Sequence, residues 1–572
     1  MKWVLSYLKP LRRRITVGTI VKIIGTVAEL LIPFLLTHIL ENVIGSNNIS
    51  QIILYGVFMA LCAIVACLGN IIANRIAAKS TMIFSAQMRK DLFYKTLHLS
   101  ATSTDKFTIP SLESRITTDT YNVQNFIGMI QRMGIRAPIL LIGGAIITMI
   151  MDPKLSLIMI GTMPLIFIVV YSIRRMGVPL YSNVQQSVDG MVRVVREDAQ
   201  GIRVIKALSK INYENARYDK SNLTLKNNET KAGIIMGVVN PIMTLLMNMG
   251  IVAVVAFSAY FVSNNTSSTA TVIAFMQYFT LISMAMMALS RMFVMYTKCA
   301  ASAGRIADVL KQESELKIID DDQQGDPSLH ISFENVSFSY LGKKENIKNV
   351  TFSLKKGETL GIIGATGSGK STLIRLLMRF YDVNTGVIRI NGKDIRSYTQ
   401  DQLTSMFGVV FQNDFLYSNT IEENIKFGRE ISDDDMIFAA NVAQAHDFIS
   451  SFEDGYSHHV STAGTNLSGG QRQRVLISRA IAGKPEILVL DDSSSALDYK
   501  TDANLRAALS NALPDSTVIT VAQRVSSVKN CDLILVIENG VIIGCGKHDH
   551  LMNTCAEYKE ISDSQMGGAF LE

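Results

Sequence analysis

The sequence predicts two structural classes in series. An all-α transmembrane domain of six helices spans residues 1–305, and an α/β domain with a helical subdomain spans 329–572, with a linker at 306–328. Three observations carry that prediction. Hydrophobic residues make up 48% of the 572 and charged residues 18%, too apolar for a purely soluble enzyme and too charged for a chain wholly inside a bilayer. The apolar excess lies in the first half, and residues 233–290 contain no Asp, Glu, Lys or Arg. Beyond the linker, short β-like runs separated by Gly and Asp turns replace the long apolar stretches.

Six apolar stretches reach the roughly 20 residues of helix that a bilayer requires. They lie near 15–42, 51–75, 126–151, 154–173, 234–262 and 271–297. Arg132 and Arg136 occupy the early turns of the third, so its apolar part begins near Ala137. The polar run 263–270 separates the last two. Lys2, Lys9, Arg12, Arg13 and Arg14 precede the first span, and Lys79, Arg89, Lys90, Lys95 and Arg115 follow the second. The connection from Arg174 to Lys231 is basic again, whereas the links at 43–50 and 263–270 have no basic residue and the third link only Lys154. This alternation places both termini in the cytoplasm. It also accounts for the net charge of +6 better than a nucleic-acid partner does.

The two long inside connections are charged, with recurring apolar positions and sparse Gly and Pro. That pattern predicts helices continuing tens of ångströms past the bilayer rather than two soluble insertions. Lys22 and Glu29 fall inside the first span, where charge is costly and often functional. Lys22 is expected to snorkel toward the cytoplasmic surface. Glu29 is the candidate for a cavity group that meets a cationic substrate, or else a helix-packing acid. Ten methionines, Met284 and Met287 among them, crowd the last two spans as apolar filler or as an adaptable pocket. Cys62 and Cys67 read as packing residues; Cys299, Cys531, Cys545 and Cys555 fall on cytoplasmic segments and are expected as free thiols. No signal peptide, transit peptide or preceding protease domain is expected.

The second half carries an ordered set of motifs. Gly364-Ala365-Thr366-Gly367-Ser368-Gly369-Lys370-Ser371 fits the phosphate-loop pattern, between a strand-like 360–363 and a helix-like run opening at Thr372. Glycines let backbone N–H groups approach the phosphates of a nucleotide, Lys370 neutralises the β- and γ-phosphates, and Ser371 faces Mg²⁺. The apolar run 487–490 ends in Asp491, an oxygen ligand for Mg²⁺ or its waters. Gln412 offers an amide oxygen to the same ion. Tyr340 ends an alternating strand, where it either stacks on adenine or is a half-buried strand aromatic. Leu467-Ser468-Gly469-Gly470-Gln471 opens a second helix, too far along the chain to belong to the phosphate loop. One site cannot easily use both, so the physical reading is a nucleotide sandwich across two domains.

That order of motifs, with Ser495-Ala496-Leu497-Asp498 closing it, resembles an ABC transporter ATPase domain, and the six spans before it resemble an ABC exporter half-transporter. The resemblance covers nearly the whole chain. It implies two such chains with exchanged helices and ATP held head to tail between their ATPase domains, Ser468, Gly469, Gly470 and Gln471 gripping the partner's ATP. It also implies that 107–125, with Pro110, Arg115 and Asp119, is the first cytoplasmic coupling segment and 201–207 the second. Three positions depart from the family's pattern. Asp492 stands where a Glu polarises the attacking water, Gln523 where a His is expected, and Thr462-Ala463-Gly464 where an acidic-basic-Gly segment is usual. Asp492 is one bond shorter, so its carboxylate retreats by roughly 1.5 Å. Gln523 cannot become cationic.

The expected function is ATP-driven export of amphipathic drugs or lipid-like compounds across a bacterial inner membrane, with this chain as the degenerate-site subunit of a heterodimer. Its homologous partner supplies the Glu and the His. A homodimeric lipid or drug flippase and an ATP-gated channel-like or regulatory subunit are the alternatives.

Overall fold

Helices account for the whole of the apolar half in the computed structural model, which describes residues 2–44, 48–263, 268–312, 316–320, 325–340, 342, 345–493 and 495–567. The acidic residues Asp321 and Asp322 of the expected linker lie outside the described residues, as do 264–267 of the polar run. Contacts divide the chain into two units, Met1–His98 with Ile109–Gln312, and Leu99–Thr108 with Glu313–Glu572.

In the first unit the expected spans fall on the helices Arg12–His38, Ile49–Leu97, Ile135–Met151, Pro153–Ala207, Val239–Ser263 and Thr269–Leu310. Among the described residues, four stretches are long and apolar enough to cross a membrane: Trp3–Val43, Ile49–Leu97, Ile109–Met151 and Thr269–Leu310. Thr269–Leu310 runs past residue 305, so the chain is still helical where the linker was expected to begin. The inside connections are helical too. Ile49–Leu97 has 49 residues and Pro153–Ala207 has 55, the latter returning through Ile211–Gly237. At 1.5 Å per residue the longer one approaches about 80 Å, well beyond a bilayer.

Small residues let the first two spans touch. A Cβ on Gly69 would lie 3.1 Å from the Cα of Gly25, so the two backbones are in direct contact there. Beside that crossing, Lys22 Nζ donates to Asn70 Oδ1 at 2.7 Å and to Asn74 Oδ1 at 3.1 Å. Lys22 is buried and does not snorkel: two side-chain amides replace the water it would otherwise seek. The outward face of Ile49–Leu97 exposes Ile53, Val57, Leu61, Ile64 and Leu68, as a lipid-facing helix does.

The 107–125 stretch is divided between the two units at Thr108, with Ile109 onward in the first. Asp119 is buried within the first unit, accepting from Ser302 Oγ at 2.8 Å and from Arg305 Nε at 2.8 Å, so its charge is used in packing. The short helix Ala101–Phe107, N-capped by Ser100, instead groups with the second unit. There Ala101 packs on the apolar core, and Tyr381 donates its hydroxyl to Asp105 Oδ2 at 2.6 Å. The 201–207 stretch ends the helix Pro153–Ala207 at a tight turn, with Ile202, Val204, Leu208 and Ile211 exposed.

The second unit is α/β. A six-stranded sheet runs Val541–Gly546, Leu533–Glu538, Thr359–Ile363, Thr517–Val521, Ile487–Asp491, Phe407–Val410, parallel except for its first strand. Ile487–Asp491, paired on both sides by parallel strands, is buried throughout, as a near-continuous apolar run covered on both faces must be. An antiparallel sheet holds Ile347–Leu354, Ile331–Phe338, Thr385–Ile390 and Lys393–Asp394. The helical subdomain builds a separate core from Ile421, Met436, Ile449, Val475 and Ile477.

Candidate active site

Two glycines fix the phosphate loop at the end of Thr359–Ile363. A Cβ on Gly364 would lie 2.1 Å from the Ile537 carbonyl oxygen, so only glycine fits. Gly369, at φ 111°, takes the left-handed conformation that starts the helix Lys370–Leu377. Lys370 Nζ curls back to the carbonyls of Gly364 and Ala365, at 2.9 Å each. Burial pushes the Lys370 ammonium below its usual range, and Asp491 and Asp492 oppose that shift. Thr366, Gly367, Gly369, Lys370, Ser371 and Thr372 line a cleft of about 200 Å³. Ser368 is buried behind them, its backbone carbonyl accepting from Gly540 N at 2.9 Å.

Gln412 and Asp491 complete the same wall. Asp491 is buried at the end of its strand. Burial is the main cause raising its carboxyl above the usual range; Asp492 adds to it, while a bond from Ser371 and the charge of Lys370 oppose it. A hydroxyl, an amide and a buried carboxylate are hard oxygen donors, and this set fits Mg²⁺. Ser371, Gln412 and Asp491 would hold the ion, which when bound neutralises phosphate charge.

Asp492 lies at φ 51°, a left-handed conformation that Asp tolerates better than most residues. Its Oδ2 accepts from Gln523 Nε2 at 3.0 Å and from Gln412 Nε2 at 3.4 Å. One carboxylate oxygen of Asp492 is thus shared by two amides. Gln523 is itself held in place: its carbonyl accepts from Gln565 Nε2 at 2.8 Å, and Val525 N donates to Gln565 Oε1 at 2.8 Å. Nothing in the sequence marked Gln565, which comes from the last helix, Ala556–Gly567.

Ser468 caps the helix Gly469–Ile481 reciprocally with Gln471: Gln471 N donates to Ser468 Oγ at 3.2 Å, and Ser468 N to Gln471 Oε1 at 2.9 Å. None of the four residues 468–471 lines the phosphate cleft. The chain therefore presents two anion-binding helix starts that do not share a pocket. A Cβ on Gly470 would lie 3.3 Å from the Ala496 carbonyl, and Asp498 caps the following helix, Tyr499–Ala512, through Thr501 N. Ala463 takes a left-handed φ of 60° in the variant segment before the signature.

Tyr340 stands beside the cleft rather than in its lining. Its hydroxyl donates to Thr372 Oγ1 at 3.3 Å and its ring meets Tyr381 edge-on at 5.0 Å. The cleft also includes Glu345, Asn346, Asn539 and Gly540, which sequence reasoning missed. Asn539 and Gly540, at φ 47° and 81°, make the tight turn between Leu533–Glu538 and Val541–Gly546. Asn-Gly between two apolar runs was the available signal.

In the membrane half, Glu29 is not a free acid. Its Oε1 accepts from Arg136 Nη2 at 2.6 Å, so the expected group for a cationic substrate is already paired.

Comparison with known proteins agrees with this arrangement. Residues 15–286 match the ABC transporter transmembrane region and residues 347–495 the ABC transporter family. The chain is 33% identical over 572 residues to the uncharacterized ABC transporter ATP-binding protein YfiB of Bacillus subtilis, covering 99% of each. It is 30% identical over 567 residues to the uncharacterized ABC transporter ATP-binding protein Rv1273c of Mycobacterium tuberculosis, covering 98% of this chain and 97% of that one. A solved bacterial Atm1-family ABC exporter with ATP bound shares the fold at a TM-score of 0.82 and 22% identity, covering 96% of this chain and 98% of that one. The chain is a member of the ABC transporter family, an exporter-type subunit in which a multi-pass transmembrane domain and an ATP-hydrolysing domain are fused.

Proposed function

We propose that this chain is the degenerate-site half of a heterodimeric exporter of amphipathic drugs or lipid-like compounds, set in a bacterial inner membrane with both termini cytoplasmic. The observation that carries this reading is the Asp492 carboxylate shared by Gln523 and Gln412, beside an intact signature helix start. The shorter acid and the uncharged amide fall on the same side of one cleft. A misplacement of about 1 Å can cost on the order of 10²-fold in rate. ATP in this chain's site, held by Lys370, Ser371, Gln412 and Asp491 with Mg²⁺, would then persist and keep the two ATPase domains together. The partner's site, completed by Ser468–Gly469–Gly470–Gln471 of this chain, would hydrolyse. Hydrolysis there would bias the inward–outward equilibrium of the helices, by a ligand with different affinity for the two states. The exposed apolar turn at Ile202, Val204, Leu208 and Ile211 supports an exchanged contact with the partner.

The test is ATPase activity of this chain purified alone and with its homologous partner. Activity should require the partner. Asp492→Glu with Gln523→His should raise hydrolysis in this chain's site by on the order of 10²-fold. Brisk hydrolysis by this chain alone would favour a homodimeric lipid or drug flippase.

A further inference from the structure

A cleft of about 270 Å³ opens between the helices Ile135–Met151 and Thr269–Leu310. Its wall is mostly apolar, with Leu140 and Leu281, and adaptable, with Met133, Met284 and Met287. Arg136 and Arg291 are its only charged lining residues among those described. Arg136 gives one nitrogen, Nη2, to Glu29, yet its Nε is buried with no hydrogen-bond partner. Arg291 is exposed and makes no ion pair among the described residues. An arginine serving only as a topological signal keeps its guanidinium in headgroup water. Arg136, with its side chain only 30% exposed, does not. A buried guanidinium nitrogen left without an acceptor is costly, and a charged oxygen is the acceptor that most offsets that cost.

We propose that this cleft binds an amphiphile with one negatively charged headgroup, a carboxylate or phosphate, its acyl chain lying along the methionines and leucines. The proposal deepens the reading of the chain as an exporter of amphipathic compounds and rests on it. It reverses the charge of the substrate expected from Glu29: that acid neutralises part of Arg136, and the remaining positive charge faces the cleft. On the proposed topology, Arg136 begins the third span and Arg291 nears the end of the sixth, both on the side of the cytoplasmic leaflet. The anion would therefore enter from that leaflet or from the cytoplasm.

The experiment is binding of a fluorescent dodecanoate to the full-length transporter in phosphatidylcholine nanodiscs, without ATP. The same dye-labelled chain ending in an alcohol or a trimethylammonium group serves as control. Because no hydrolysis occurs, the result does not depend on which ATP site turns over. The carboxylate should bind about tenfold more tightly than the other two, the effect of roughly one charge-assisted hydrogen bond. Arg136→Gln and Arg291→Gln should each weaken it by about tenfold. Glu29→Gln should tighten it, because Arg136 is released; a purely structural ion pair predicts no gain. If Arg136→Gln fails to fold, Arg291→Gln and Glu29→Gln carry the test. Displacement of the probe by added phosphatidylglycerol supports the site with a bilayer lipid as the anion's source. Binding that persists against it supports the site with a free amphiphile as the source. Equal affinity for the three headgroups, or carboxylate binding unchanged in both Arg291→Gln and Glu29→Gln, overturns the proposal.

Discussion

Asp492, Gln523 and Gln565 are joined by hydrogen bonds at the edge of the phosphate cleft. Gln565 pins the turn on both sides of Arg524, through the Gln523 carbonyl and the Val525 amide. Gln565→Ala should free both groups at a local cost of about 1–2 kcal/mol. Faster amide hydrogen exchange at Val525, with no change in the strand Thr359–Ile363, is the expected signature; unchanged exchange at Val525 would mean the clamp contributes nothing. Lys370→Ala removes the cation aimed at the phosphates and should weaken ATP binding in this site by at least about tenfold. The motif residues were legible because each chemistry imposes a local spacing. Gln565 was not, because its partner lies 42 positions away and no pattern announces the bond. Asn346 was hidden for a similar reason: it reaches the cleft through sheet and hairpin packing, its carbonyl 2.4 Å from where a Cβ on Gly540 would stand.

Elements were legible where periodicity is long. The two inside connections declared themselves as helices by recurring apolar positions among charged ones, and the structure continues the spans before them in the helices Ile49–Leu97 and Pro153–Ala207. The crossing at Gly25 and Gly69 was not legible, since glycine in an apolar span has several uses. Gly69→Leu should force those backbones apart and destabilise the pair by a few kcal/mol, about the cost of overpacking a close contact, seen as a lower melting temperature in detergent. The different surroundings of Asp105 and Asp119 were not legible in the sequence, for a definite reason. Asp105 and Asp119 look alike in sequence, and only Arg305, 186 positions beyond Asp119, distinguishes the acid used in packing. Asp105 instead meets Tyr381, whose ring touches Tyr340 beside Thr372. Asp105→Ala should leave basal ATPase within about threefold while lowering transport per ATP hydrolysed, as expected for loss of one charged hydrogen bond outside the cleft. Proportional loss of both activities would place Asp105 in folding rather than coupling.

At the scale of the whole molecule, one chain carries two anion-binding helix starts that line different surfaces. Fold class and family were readable from the sequence, because six apolar runs and an ordered motif set constrain both. The ion pair of Glu29 was not legible, since its partner Arg136 lies 107 positions away. Asymmetry between the ATP sites is the central claim, and Asp492→Asn tests it most directly when set against Glu→Gln at the matching position of the partner. The measurement is steady-state ATPase activity of the assembled pair. Asp492→Asn should leave at least about half the activity, while the partner substitution should lower it by on the order of 10²-fold or more. Loss of activity on Asp492→Asn comparable to that of the partner substitution would contradict the asymmetric reading and make Asp492 a working base.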